Sequence, residues 1–139
     1  MGEEAQAVET IVAMVEALRD LAGRPEGERR ELLTERLDLL YSLPEARAQM
    51  LMEQMAQALA ELPAAEAERV TASRLAVLAR YEPQKRAWLL DRYHAAVARF
   101  PDEVRLPNEQ AEERALARLS RDERRAILEA MQQQPGAWP

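Results

Sequence analysis

Proline recurs along this chain at intervals of about one helix. Pro25, Pro44, Pro63, Pro83 and Pro101 fall at spacings of 19, 19, 20 and 18, and Asp122 continues the beat at a spacing of 21. The pyrrolidine ring fixes φ and removes the N–H, so a proline inside a helix loses a hydrogen bond and clashes with the preceding turn. At the first helical position it suffers neither penalty. Each of these prolines stands just ahead of a stretch with apolar residues at helical spacing, so the chain is divided into short helices.

The residue types agree with this. The apolar set is mostly Ala, Leu, Val and Met, with two Ile and one Phe, which favours helix over strand. With 139 residues, the chain fits one domain, which at this size buries about 70% of the surface its unfolded chain exposes. We expect a single all-α domain over residues 1–134, of about seven short helices stacked as antiparallel hairpins, either α-solenoid-like or a compact bundle. The Pro-Gly-Ala-Trp-Pro segment at 135–139 cannot continue a helix and reads as a flexible tail.

The apolar spacing predicts a first helix from about Glu3 to Ala22, with Gly23 placed to end it in a left-handed conformation. Helices follow from Pro25 or Glu26, from Pro44, over Ala64–Arg80 and over Pro83–Phe100. The last has more than one apolar stripe and is expected to be a central helix, contacted on two sides. Pro101 to Pro107 reads as a loop, followed by a helix from Asn108 to Leu119. Ser120 and Glu123 then form a capping box for the final helix, which is expected to end near Gln134.

Aligning Pro44, Pro83 and Asp122 gives a 39-residue period that superimposes Arg47, Arg86 and Arg125, and then Met50, Leu89 and Leu128. A two-helix hairpin repeat would give this period. So would chance self-alignment of arginine-rich amphipathic helices. Leu43-Pro44-Glu45-Ala46-Arg47 with Met50-Leu51, and Ser120-Arg121-Asp122-Glu123-Arg124-Arg125 with Ile127-Leu128, resemble the short helical repeats in the cytoplasmic N-terminal domain of MgtE-type magnesium transporters and in the middle region of the flagellar protein FliG. The resemblance covers about Pro25 to Met131. It implies a right-handed helical superhelix acting as a regulatory or docking module.

Most chemistry is without a motif. The absence of cysteine excludes disulfides and thiolate sites. The four glycines never form a phosphate-binding loop, and no serine occupies a nucleophile turn. His94 is the only histidine. Asp91 precedes it by three residues, as in helix-bundle metal sites, but those sites need a second such motif, and a hydrogen-bonded, partly buried histidine is the simpler reading. No enzyme activity, cofactor or metal is expected. The first twenty residues hold five acidic side chains and lack the basic start and apolar run of a signal peptide. We expect a cytoplasmic protein with no membrane insertion.

Two side-chain groups could bind a partner. Lys85, Trp88, Arg92 and Arg99 form one stripe on a helix whose Lys85, Arg86, Arg92 and Arg99 outweigh Asp91, for a sum of +3. Such a stripe could grip an acidic partner helix or stack a nucleic-acid base. Alternatively, Trp88 packs between neighbouring helices and arginine stems cover it. Met50 and Met52 flank the core stripe of the third helix, suiting an adaptable groove or a core gap. The leading expectation is a non-enzymatic protein–protein interaction module, an adaptor or small subunit, binding another protein or itself as a homo-oligomer. The alternative is a nucleic-acid-binding protein using the fifth helix, against which the net charge of −6 argues.

Overall fold

From the second helix on, helix starts fall at one interval. The computed structural model describes residues 2–132, with side chains from residue 9. It has seven helices among the described residues: α1 (Gly2–Gly23), α2 (Glu26–Ser42), α3 (Glu45–Ala60), α4 (Ala64–Arg80), α5 (Pro83–Ala98), α6 (Asp102–Arg118) and α7 (Arg121–Gln132). The residues flanking α2 to α6 on the N-terminal side are Pro25, Pro44, Pro63, Glu82 and Pro101, all extended. Ser120 does the same for α7: its Oγ accepts from Glu123 N at 3.2 Å while Ser120 N donates to Glu123 at 2.9 Å, the expected capping box. From Pro25 to Ser120, successive caps keep a constant spacing of 19.

The irregular proline spacing has a local cause. At α5 the proline sits at the first helical position and Glu82 is the cap, accepting from Gln84 N at 3.1 Å and Lys85 N at 2.7 Å. Aligning prolines therefore shifted the register by one residue, and Asp122 is not a cap.

The helix ends alternate between two forms. Leu43, Tyr81 and Leu119 close α2, α4 and α6 in extended backbone, with ψ of 157°, 160° and 154°. Glu61 and Arg99 close α3 and α5 in helical backbone, with ψ of −6° and −14°. The geometry thus repeats every second helix, with a period one residue shorter than the sequence alignment suggested.

The all-α, seven-helix expectation holds, and its pairing is specific. Every helix from α1 to α5 packs on the second helix after it, and every helix from α1 to α4 also packs on the third; α4 with α6 is the most extensive pair. Helices adjacent in sequence touch little, so the units are not closed hairpins. Very short linkers turn the chain too sharply for neighbours to lie along one another, and the path coils with between two and three helices per turn. Most side-chain contacts between helices follow the same rule: Arg19–Glu66, Arg69 to the Ala22 carbonyl, Tyr81 to the Thr34 carbonyl and Lys85–Asp38 each span 47 residues, while Arg30–Glu123, at 3.7 Å, reaches farther, from α2 to α7.

Two local expectations are corrected and a third is sharpened. Residues 102–107 are not a loop, because α6 begins at Asp102 and carries Pro107 inside it. Pro107 forfeits the N–H that would reach the Glu103 carbonyl. The helix is held on both sides of it by Arg105, which pairs with Asp102 and with Glu109, the latter at 3.0 Å, and by packing on α4. Helix α5 is contacted on more than one side, as expected, by α3 and α7 above all, but α4 is the more central, since Thr71 to Leu78 are all buried and its short side chains let α1, α2, α6 and α7 approach it. Gly23 ends α1 without a left-handed φ, because arginines take up the terminal carbonyls, as described below. The expected tail at 135–139 lies outside the described residues. Among those residues, no helix is long and apolar enough to cross a membrane.

Candidate functional site

The basic stripe on α5 is engaged within the molecule. Lys85 Nζ lies 2.8 Å from Asp38 on α2 and sits over the Tyr81 ring at 4.0 Å. Arg92 pairs with Glu45, and Arg99 with Glu53 at 3.0 Å, both on α3. Trp88 is half-buried, edge-on to Tyr41 at 5.4 Å, with the Arg92 guanidinium 5.6 Å from its ring. The four residues do share a face, and that face docks on α2 and α3. Hydrogen bonds from Lys85 and Tyr81 hold the Asp38 carboxyl below its ordinary pKa, and burial with the Asp38 bond pushes the Tyr81 phenol up.

The methionines divide. Met52 is 2% exposed and belongs to the core, which removes it from any binding surface; Met50 is 46% exposed. Met52 lies one residue past the expected Leu51 and Met55 stripe, but packing by α5 and α6 together widens the buried arc of α3 to include it.

A polar cluster between α4, α5 and α6 was visible in sequence only through His94. His94 Nε2 lies 2.9 Å from Glu112, and Arg74 approaches the same carboxylate at 3.9 Å while its guanidinium stacks 3.8 Å from the Tyr93 ring. Tyr93 Oη donates to Asn108 Oδ1 at 2.5 Å, and Asn108 Nδ2 donates to the Ala56 and Val104 carbonyls, each at 2.9 Å. Burial raises the Tyr93 pKa. The cluster is buried throughout, each charge facing an opposite one, an arrangement that fixes helix positions rather than meeting a ligand. Asp91, the other half of the suggested metal motif, is not part of it. Among the described residues no three His, Cys, Asp or Glu side chains are grouped closely enough to hold a metal ion. A 19-residue alignment would have exposed Asn108, which stands in the column of Leu32, Leu51, Val70, Leu89 and Ile127.

Three arginines play one structural part. Arg86 reaches back to the carbonyls of Leu78, Ala79 and Tyr81, and Arg124 to those of Leu116, Ala117 and Leu119, at the same three offsets. Arg29 reaches those of Ala22 and Arg24 and also donates to Ser73 at 2.7 Å. Each sits four residues after its cap and satisfies the last carbonyls of the preceding helix, which have no partner within that helix.

Two grooves border α1: one of about 430 Å³, lined by Ile11, Val12, Ala60 and Val104 among others, faces α3 and α6, and the other opens at the start of the coil. This second groove, of about 400 Å³ between α1 and α2, is lined by Leu18, Leu21, Leu32 and Leu39, with Glu35 and Arg36 at its edge. Leu32 and Leu39 are 40% and 56% exposed. The residues in the Leu39 column of the following four units, Ala58, Val77, Ala96 and Ala115, are all buried. Leu39 differs because the packing rule would cover it with a helix two or three places earlier. Compared with family models, curated proteins and solved structures, the chain matches none.

Proposed function

We propose that this protein is a non-enzymatic protein–protein interaction module, an adaptor or small subunit that binds an apolar helical face at the beginning of its coil. The observation that carries this reading is the α1–α2 groove: Leu39, from a repeat position that is buried in each of the next four units, stands open on one side of α2 beside the exposed Leu32. Contiguous apolar surface of this kind marks interaction sites, and an amphipathic helix laid in an apolar groove is a recurrent recognition mode. The groove supports the reading better than the α5 stripe does, because the cations of that stripe already have partners. The resemblance to regulatory helical repeats points the same way.

The test is capture from native lysate on wild-type protein beside Leu32→Asp/Leu39→Asp, with helical content checked by circular dichroism. Wild type is expected to retain a specific partner that the folded double variant loses. A wild-type protein that retains nothing and is monomeric at all concentrations would remove the reading.

A further inference from the structure

The repeat also indicates what fits the open end. The packing rule leaves two sets of faces uncovered in the described coil: those of α1 and α2 that look towards earlier helices, and those of α6 and α7 that look towards later ones. Both carry exposed leucines, Leu32 and Leu39 on the first and Leu106 and Leu128 on the second. Both also carry exposed charges outside any ion pair among the described residues: Glu28, Glu31 and Glu35 on α2, and Arg114, Arg121 and Arg125 on α6 and α7.

The internal contacts place these charges in register. Arg19–Glu66 and Asp38–Lys85 join the same two repeat positions with opposite polarity, and Glu45–Arg92 joins a second pair of positions; all share one sequence separation. Extend the coil by a second copy whose α1 takes the place of the next helix after α7. The spacing that joins Arg19 to Glu66 then joins Arg114 to Glu28 of the second copy, and the spacing that joins Glu45 to Arg92 joins Arg121 to Glu35 of the second copy. Both pairs are of opposite charge. Glu16 of the second copy falls near Asp102, whose charge Arg105 already offsets. The complementarity lies in these positions and not in net charge, since Arg36 shares the groove.

We propose that the chain stacks head to tail with copies of itself, the α6–α7 end of one molecule filling the α1–α2 groove of the next and continuing the 19-residue repeat across the junction. The contact joins unlike surfaces and does not close on itself after two molecules, so growth continues past the dimer. This rests on the interaction reading above and names its partner.

Sedimentation velocity of the purified chain over a range of concentrations tests it, with two charge-reversed variants. Arg114→Glu/Arg121→Glu makes both ends acidic, and Glu28→Arg/Glu35→Arg makes both ends basic. All four residues are exposed, and circular dichroism checks that each variant folds. Wild type is expected to form species that grow past the dimer with concentration and shrink as salt screens the end charges. Each variant alone loses about tenfold or more in self-association, from two like-charge contacts, and the equimolar mixture recovers it, because acidic ends then meet basic ones. A wild type that stays monomeric, one that stops at a dimer, variants that associate as well as wild type, or a mixture no better than its parts would each overturn the stacking. A monomer that still loses a lysate partner through Leu32→Asp/Leu39→Asp would overturn the stacking alone and leave the interaction module standing.

Discussion

Glu112 is the one buried carboxylate among the described residues. It is 5% exposed, bonded to His94 and near the Arg74 guanidinium. Removing one member of a buried charged group leaves the others desolvated and uncompensated, at a typical cost of about 3–5 kcal/mol. Arg74 would be left in the core against the Tyr93 face. Glu112→Ala is therefore expected to lower unfolding free energy by about 3 kcal/mol. Glu113, one residue along, is exposed, and Glu113→Ala is expected to leave stability close to that of wild type, as surface substitutions usually do. Urea titration measures both. Equal effects would show that the cluster is no better paired than the surface. Asn108 belongs to the same network, and its two carbonyl partners on α3 and α6 tie the start of α6 in place where Pro107 weakens it.

At the scale of the helix, length was legible in the sequence and register was not. The proline beat placed the boundaries of α2, α3, α4 and α5 within two residues, because an N-terminal proline acts locally, through its own φ and missing N–H. It misplaced α6, because the helix around Pro107 is held partly by packing on α3 and α4, which lie far away in sequence, as well as by the local pairs of Arg105. It also hid the 19-residue period, because Glu82 and Ser120 act as caps without being proline. The stripe on α5 was found as a stripe, but its role was set by Asp38, Glu45 and Glu53, two or three helices earlier in the chain. The arginine four residues after the cap was likewise hidden by alignment on the wrong residue. Its function at the helix end can be tested. Arg86 donates to three carbonyls at the end of α4. Arg86→Ala would strip them of a charged donor, and about 2 kcal/mol of stability is expected to go with them. Arg86→Lys should restore less than half, since an ammonium cannot reach three carbonyls as a planar guanidinium does. Urea unfolding with Arg80→Ala as the exposed control measures this, and full rescue by lysine would refute the geometric argument.

Across the whole molecule, the coil differs from a linear array of repeats in how its units depend on one another. In a linear array each repeat touches only its neighbours, so the ends can fray while the middle stays folded. Here α1 is packed on α3 and α4, α2 on α4 and α5, and α4 reaches forward to α6 and α7. Detaching any helix exposes two others, and the ion pairs across the turns are mostly surface pairs that add little individually. The buried positions must therefore be lost together. This predicts one cooperative transition: in Trp138→Phe protein, where Trp88 is the only tryptophan, urea unfolding followed by Trp88 fluorescence should coincide with that followed by far-ultraviolet circular dichroism. Trp88 reports the docking of α5 on α2 through Tyr41, whereas dichroism reports all seven helices. An early loss of helix signal with Trp88 still in place would mean that the ends unzip independently and that packing on the second and third helices along does not unite the fold.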